Sequence, residues 1–192
     1  MSTLAPTLQG FFTDRLARQR QASGHTVAAY RDACKLLLAF ACKRIGKPPS
    51  HLDIADLDAA LIGAFLDHLE HQRGNSVRTR NARLAAIHSL FRFAALAHPQ
   101  DAAVIQRVLA IPPKRYDQTL ITYLTQPETD ALLDAPNQAT WTRRRDHALL
   151  ALAVHTGLRV SELTALTLAD VHLGTGAHLS CLGKAENSAA PP

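Results

Sequence analysis

One arginine follows an unbroken apolar run in the second half of the sequence, within the stretch HTGLRVSEL at residues 155–163. Gly157 is placed to end the helix that the apolar run predicts, and the next helical pattern begins at Val160. Arg159 therefore lies at a corner between two helices, where a side chain can point into a cleft. Its guanidinium has a permanent charge and planar donors, which suit a phosphate or carboxylate. The alternative is a surface arginine paired with Glu162.

A second group of arginines lies in the stretch GNSVRTRNAR, where the chain breaks and a helix begins at Ser76. Arg78, Arg80 and Arg83 fall in the first two turns, the end at which the helix macrodipole disfavours cations. A phosphate would compensate, because it can accept backbone N–H groups and guanidinium donors together. These arginines are therefore candidate contacts to a partner that carries phosphates. A solvated charged turn is the alternative that composition leaves open.

The charge distribution supports a polyanionic partner for the first part of the chain. The net charge of the 192 residues is +5. Residues 1–115 hold sixteen Lys and Arg against eight Asp and Glu, whereas residues 116–192 hold five against eight. The basic surface that nucleic-acid binding needs is thus expected in the first part.

The composition is that of an ordinary globular protein, with 47% hydrophobic and 19% charged residues. No stretch approaches the roughly 20 apolar residues of a membrane span, and the first residues lack a secretory-signal pattern. We therefore expect a cytoplasmic protein without a membrane partner. Cys34, Cys42 and Cys181 show no C-x-x-C spacing, which argues against a disulfide framework and a zinc site. All three are expected to be reduced and structural.

Apolar residues at helical spacing predict five helices before residue 111. The first carries Leu8, Phe11, Phe12 and Leu16. The second carries Tyr30, Cys34, Leu37, Leu38 and Ala41, with Gly24 as the stop before it and a Ser or Thr as its N-cap. The third follows DIADLD and carries Ile62, Phe65, Leu66 and Leu69. The fourth carries Leu84, Ile87, Phe91 and Ala94, and a short fifth spans residues 102–109.

The two-proline stretch IPPKRYDQ, residues 111–118, has the composition of a domain linker. Beyond it, Thr125 caps one predicted helix, and residues 145–155 form another that Gly157 ends. The stretch DVHLGTGAHLSCLG then alternates around a Gly-Thr-Gly turn, which predicts a β-hairpin. We therefore expect a mainly α protein of two domains: a helical one over residues 1–112, and one over 113–192 that starts α and ends in the hairpin.

The run HTGLRVSEL resembles the first signature box of the tyrosine recombinases, the phage integrase and Xer-like family, which typically reads T-G-L-R-x-S-E-L. LTQPETDALLDA resembles the first helix of the family's catalytic domain, and RRRDHALLALAVHTGLR resembles the approach to the box. SGHTVAAYRDACKLLLAF and SVRTRNARLAAIHSLFRFA are similar to two helices of its N-terminal domain. The resemblance covers nearly the whole chain up to Lys184. It implies a helical SAM-like core-binding domain followed by an α+β catalytic domain.

The resemblance also implies a reaction, with double-stranded DNA as the partner and other recombinase protomers as further partners. In this family a tyrosine attacks one DNA strand, forms a 3′-phosphotyrosyl ester, and is displaced by a 5′-hydroxyl from another duplex. Arginines bind the non-bridging phosphate oxygens, and a lysine on a β-hairpin protonates the leaving 5′-oxygen. Neither a metal nor a small-molecule cofactor takes part.

Carried over to this sequence, the resemblance makes Arg159 the first phosphate-binding arginine and Lys184, in CLGK, the general acid. Asp170, eleven residues after Arg159 in LADV, matches an acidic position that braces the active site. Glu162 also matches the box, and at i+3 it is placed to orient and balance Arg159. For Lys184 alone, an ordinary lysine in a turn is an equal alternative.

Two parts of the family's pattern do not occur in the sequence. The second box, H-x-x-R, is missing, and Tyr30, Tyr116 and Tyr123 all precede Arg159, whereas the family's nucleophile follows it. The expectation is a C-terminally truncated tyrosine recombinase that is inactive alone. The tail GKAENSAAPP departs from the family's G-K-G-x-K-x-R-x-x-P and fits a frameshift. The alternatives are a DNA-binding or architectural module without catalysis and a competitive inhibitor of a full-length relative.

Overall fold

A computed structural model describes residues 4–117 and 122–181 of the chain. These residues are mainly α-helical, and the strands among them form one two-stranded antiparallel hairpin. The chain forms two compact units, Met1–Gln118 and Thr119–Pro192. No helix within the described ranges is long and apolar enough to cross a membrane. The mainly α fold class predicted from the sequence is confirmed.

The described part of the first unit is built from five α-helices and one π-helical segment. The bounds are α1 (Leu4–Gly10), the π segment (Phe11–Gln19), α2 (Gly24–Ile45), α3 (Ala59–His71), α4 (Val77–Ala97) and α5 (Ala102–Leu109). Ser23, Asp58 and Ser76 cap α2, α3 and α4, each accepting the N–H three residues further on. The helices predicted from α2 to α5 are confirmed, because caps and apolar stripes are signals held within each segment.

The first predicted helix is instead two elements, because it changes at Phe11 from an α-helix to a π-helix. Phe11 and Leu16 are five residues apart, and both are fully buried. Five residues advance an α-helix by about 1.4 turns, which would place the two side chains on different faces. Bonds of the i+5 type, such as the Arg20 N–H to the Arg15 carbonyl at 3.0 Å, widen the turn and bring both side chains onto the core.

The prediction that Gly24 stops the first helix is wrong, because Gly24 is the first residue of α2. The turn is made by Gln21, whose φ of 43° lies in the left-handed region that few side chains adopt. Ser23 then caps α2 by accepting the N–H of Thr26 at 3.3 Å. The expected Ser N-cap is therefore confirmed, one residue before the glycine.

The core of the first unit joins α2, α3 and α4 along the stripes predicted for them. Its fully buried members include Leu37, Ala41, Ile62, Phe65, Leu66, Leu69, Leu84, Ile87, Phe91 and Ala94. A second cluster joins the π segment to α2 and α4 and consists of Phe11, Leu16, Cys34 and Leu90. Tyr30 packs against this second cluster, with its ring stacked on Phe11 at 6.3 Å between centroids. The core role predicted for Tyr30 is confirmed.

The described part of the second unit contains three helices and the hairpin. The bounds are α6 (Gln126–Asp134), α7 (Trp141–Thr156), α8 (Val160–Ala165), β1 (Val171–His172) and β2 (His178–Leu179). Thr125 begins α6 and Gly157 ends α7 with a φ of 65°, as predicted. α7 begins four residues before the predicted start, because Thr140 caps it. The antiparallel pairing of β1 with β2 confirms the hairpin.

Burial differs between the two units. Among the described residues of the second unit, Leu163 alone is buried. Large apolar side chains of this unit are exposed, including Trp141, Leu149, Val160 and Leu168. The second unit therefore presents apolar faces that its own described residues do not cover.

The three cysteines are free thiols in different surroundings. Cys34 is buried, and burial raises the pKa of its thiol to about 11, which makes it an inert packing residue. Cys181 is exposed, so the structural role predicted for it is wrong. Within residues 4–117 and 122–181, no group of three His, Cys, Asp or Glu side chains is placed to hold a metal ion.

Candidate functional site

The start of α4 is capped before any ligand binds. The Ser76 hydroxyl accepts the N–H of Thr79 at 3.2 Å, which satisfies one of the free N–H groups of the first turn. Arg78 follows at the exposed surface, with its guanidinium carbon 5.6 Å from the centre of the Tyr116 ring. A cation–π contact of this kind orients a guanidinium without using its N–H donors. Arg78 is therefore placed to bind an anion at the helix start.

Arg83, one turn later, is partly buried and incompletely paired. Its Nη1 atom is buried and has no hydrogen-bond partner. Burial lowers the pKa of Arg83, the like charge of Arg73 lowers it further, and Asp32 opposes both. An arginine remains charged throughout the physiological range, so this site contains a cation with a donor left unsatisfied.

Arg80 lies between these two in sequence but points inward. Only 6% of the residue is exposed. Its Nη1 donates to Asn81 Oδ1 at 3.0 Å, while its Nε lies 4.0 Å from Glu70 Oε2 and is buried without a hydrogen-bond partner. The three arginines predicted from one stretch thus differ in their surroundings, with Arg78 exposed, Arg83 partly buried and Arg80 inside the unit. Sequence reasoning missed Glu70 and Asn81 as its partners.

Arg159 lies in the second unit, directly before α8, with an extended backbone. Its Nη1 donates to Glu162 Oε1 at 2.9 Å, and its backbone N–H donates to Glu162 Oε2 at 2.8 Å. These two bonds hold the pKa of Glu162 below its ordinary value. The Arg159 side chain is nevertheless 74% exposed. Glu162 thus anchors one end of the guanidinium, while the other donors face outward from the helix corner.

Asp170 ends the 3-10 turn before β1 and is held by Thr167. The Thr167 hydroxyl donates to Asp170 Oδ2 at 2.7 Å and its N–H donates to the same oxygen at 2.8 Å, and both bonds lower the pKa of Asp170. Glu162 and Asp170 line the same small cavity of about 110 Å³, together with Cys181. The structure thus brings these two predicted acidic residues together. Lys184 lies outside the described residues.

The local surroundings of the three tyrosines do not indicate a nucleophile. Tyr30 belongs to the core cluster of the first unit, and Tyr116 stacks against Arg78. Tyr123 is 90% exposed, ahead of α6. Each has a position that its local surroundings explain, and none lies in the segment that follows Arg159.

Two family models match the sequence, one for each unit. The N-terminal SAM-like domain of phage integrases matches residues 10–98, and the phage integrase family matches residues 122–190. The second match extends past Lys184 into the tail. Together they contain every candidate residue described above.

Relatives that are longer than this chain agree with both matches. The integrase/recombinase y4rC of Sinorhizobium fredii (strain NBRC 101917 / NGR234) is 56% identical over 191 residues, covering 100% of this chain and 58% of that protein. The integrase/recombinase y4rD of the same strain is 48% identical over 170 residues, covering 88% of this chain and 60% of that protein. The tyrosine recombinase XerC of Xanthomonas campestris pv. campestris (strain B100) is 34% identical over 175 residues, covering 90% and 50%.

This chain thus spans between half and three fifths of the length of these relatives. The match extends from the helical unit with Arg78 and Arg83 to the helix corner with Arg159. The chain belongs to the phage integrase family of tyrosine recombinases.

Proposed function

We propose that this chain binds double-stranded DNA through the start of α4 and takes part in site-specific recombination or integration by tyrosine-recombinase chemistry. The observation that carries the proposal is the exposed guanidinium of Arg78 at the start of α4, with the like-charged pair Arg73 and Arg83 flanking it in the sequence. A phosphate oxygen accepts hydrogen bonds from guanidinium donors and balances their charge. Membership of the family supports DNA as the source of that phosphate.

The structure refines which arginines this proposal uses. Arg78 is exposed and Arg83 is only partly buried, so both are assigned to DNA phosphates. Arg80 is turned towards Glu70 and Asn81, so it supports the helix start from inside instead of contacting DNA. Binding through phosphates carries no base-sequence information by itself. The proposed α4 contacts therefore supply affinity and register, and no target sequence follows from them.

In the second unit we assign the chemistry to Arg159, supported by Glu162 and Asp170. A guanidinium held at one end by Glu162 can donate to the non-bridging oxygens of a phosphate and stabilise the charge that develops there. One such donor is typically worth about 3 kcal/mol of activation free energy. Lys184 is assigned the protonation of the leaving 5′-oxygen by its match to the family.

We further propose that this chain by itself forms no covalent bond to DNA. No tyrosine follows Arg159 in the sequence, and the three that precede it are placed in the core, against Arg78 and ahead of α6. The test is incubation with a DNA substrate that traps the phosphotyrosyl ester, followed by denaturing electrophoresis. We expect no adduct. A denaturant-resistant protein–DNA band would mean that one of these tyrosines is a nucleophile and would refute this part.

The DNA contact is tested with a charge-matched pair of variants. Arg78→Ala/Arg83→Ala removes the proposed contacts, and Arg15→Ala/Arg18→Ala removes two exposed arginines of the π segment that bond Gln19 and Asp14. Fluorescence anisotropy with a labelled duplex measures the affinity of the whole chain at fixed salt. We expect the first variant to weaken binding about tenfold or more, and the second to change it less than about threefold. Equal losses of affinity in the two variants would mean that binding depends on net charge alone, and would refute the α4 site.

A further inference from the structure

The segment after α5 has no regular secondary structure, yet it is bonded firmly to α4. The Asn81 side chain makes two hydrogen bonds to the backbone of Lys114, 33 residues later. Its Nδ2 donates to the Lys114 carbonyl at 2.7 Å, and its Oδ1 accepts the Lys114 N–H at 3.0 Å. One amide side chain thus satisfies both backbone groups of a linker residue, as a neighbouring strand would.

The side chain of Lys114 closes these contacts into a ring. Its Nζ donates to Glu70 Oε2 at 2.5 Å, and the same oxygen lies 4.0 Å from Arg80 Nε. Arg80 Nη1 in turn donates to Asn81 Oδ1 at 3.0 Å. Glu70 and Arg80 are both largely buried, with 13% and 7% of their side chains exposed. We call these four residues, Glu70, Arg80, Asn81 and Lys114, the polar ring.

The polar ring restricts the position of Tyr116, which lies two residues after Lys114. Tyr116 is 42% exposed and has its ring 5.6 Å from the guanidinium carbon of Arg78. Without a tie at Lys114, a segment with two prolines and no secondary structure would sample many positions for this ring. With the tie, the aromatic face stands beside the first arginine of α4.

We propose that Tyr116 is a positioning residue for Arg78, and that the polar ring holds Tyr116 in place for this task. The inference rests on the proposed function, since the value of orienting Arg78 depends on its binding DNA. A long exposed arginine loses rotamer entropy when it binds a phosphate, and a flat aromatic partner reduces that loss by holding the side chain beforehand. The linker is in this way part of the DNA-binding surface although Tyr116 itself contacts no phosphate.

The first experiment is a double-mutant cycle in the whole chain, with duplex affinity measured by anisotropy. Tyr116→Ala is expected to weaken binding about twofold to fivefold, the range of an exposed cation–π contact. Tyr116→Phe keeps the aromatic face and should bind as the parent does. In an Arg78→Ala background, Tyr116→Ala should have no further effect.

The outcomes separate this inference from the proposed function. If Arg78→Ala leaves affinity unchanged, the proposed DNA contact of Arg78 is refuted. If Arg78→Ala weakens binding but Tyr116→Ala does not, or if the two losses multiply in the double variant, the positioning role is overturned and the DNA contact stands. Failure of Tyr116→Phe to match the parent would also overturn it, because the hydroxyl and not the ring would then matter.

The second experiment tests the polar ring without DNA. Trypsin cleaves after Lys114 and Arg115, and mass spectrometry of the products gives the cleavage rate at these sites. Asn81→Ala removes both backbone bonds, and we expect it to raise that rate about tenfold, as two lost hydrogen bonds would. Asn75→Ala is the control, since Asn75 Nδ2 has no hydrogen-bond partner. Equal rates in the Asn81→Ala variant and the parent would overturn the ring's role in holding the segment.

Discussion

Single replacements of the three α4 arginines should separate the residues that contact DNA from the one that supports the fold. Binding of a basic protein to duplex DNA weakens with salt, and each phosphate contact contributes about 0.9 to the slope of log affinity against log salt. Arg78 is exposed and Arg83 is only partly buried, whereas Arg80 is 6% exposed and faces Glu70 and Asn81. The structure therefore predicts two phosphate contacts from three arginines.

The magnitudes follow from that division. Arg78→Ala and Arg83→Ala should each reduce the slope by about 0.9, and the double variant by about 1.8. Over about a fourfold rise in salt, each single variant then loses about 3.5-fold less affinity than the parent. Arg80→Met keeps a side chain of similar length without charge and should leave the slope unchanged. It should instead lower the free energy of unfolding, because Arg80 is buried and its hydrogen bond to Asn81 is lost.

The assay is a salt titration of duplex binding by anisotropy, with urea unfolding of each variant as the companion measurement. A reduced slope for Arg80→Met at unchanged stability would refute the reasoning, since it would place the inward-facing guanidinium on a phosphate. An unchanged slope for both Arg78→Ala and Arg83→Ala would refute the assignment of this helix start to DNA.

Three further predictions concern stability and reactivity. Leu16→Ala should lower the free energy of unfolding, measured with urea, by about 2–5 kcal/mol, whereas the neighbouring Arg15→Ala should lower it by less than about 0.5 kcal/mol. A small loss of stability for Leu16→Ala would contradict the π-helical register. Burial acts to raise the pKa of Asp56, but the bonds from Lys47 and from the Asp53 N–H outweigh it, so the pKa is lowered. Asp56 therefore stabilises the fold at pH values above its pKa in the unfolded chain. This contribution is lost as the pH falls through the pKa of Asp56 in the folded protein. Midpoints of thermal unfolding from neutral to acidic pH should then fall less in Asp56→Asn than in the parent, and parallel curves would contradict this. At mildly alkaline pH a maleimide should modify exposed Cys181 well before buried Cys34, whose pKa is about 11, and mass spectrometry of peptides would reveal the reverse order if this is wrong.

The sequence was sufficient for the helices because their signals are local. Ser76, Thr125 and Gly157 act within one turn of their own position, and the stripe from Leu84 to Ala94 repeats at the helical period. The π segment could not be predicted this way, because Leu8, Phe12 and Leu16 by themselves fit an α-helical stripe, and this spacing conceals that Phe11 and Leu16 would not share one face of an α-helix.

The sequence was sufficient to predict which residues form the candidate site, but it did not predict which groups surround each of them. Arg80 lies four residues before Leu84 and seven before Ile87, so its place on the buried stripe was a signal that the charge of the side chain concealed. Its partner Glu70 lies on another helix, and Asn81 bonds a residue 33 positions away, which no local pattern indicates. Glu162, three residues from Arg159 on a short helix, is the opposite case, since spacing alone predicts that contact.

The uneven burial of the two units has a calorimetric consequence. The heat-capacity change of unfolding arises mainly from apolar surface that becomes hydrated, at about 1.2–1.5 kcal/mol/K per 100 residues of a packed domain. The described residues of the second unit bury only Leu163, so among the described residues those of the first unit account for almost all of that change. We therefore expect the heat-absorption peak from these residues to be mainly the melting of the unit with the proposed DNA-binding surface. Replacement of Arg159 or Asp170 should leave that peak in place, even where it alters the site around the helix corner.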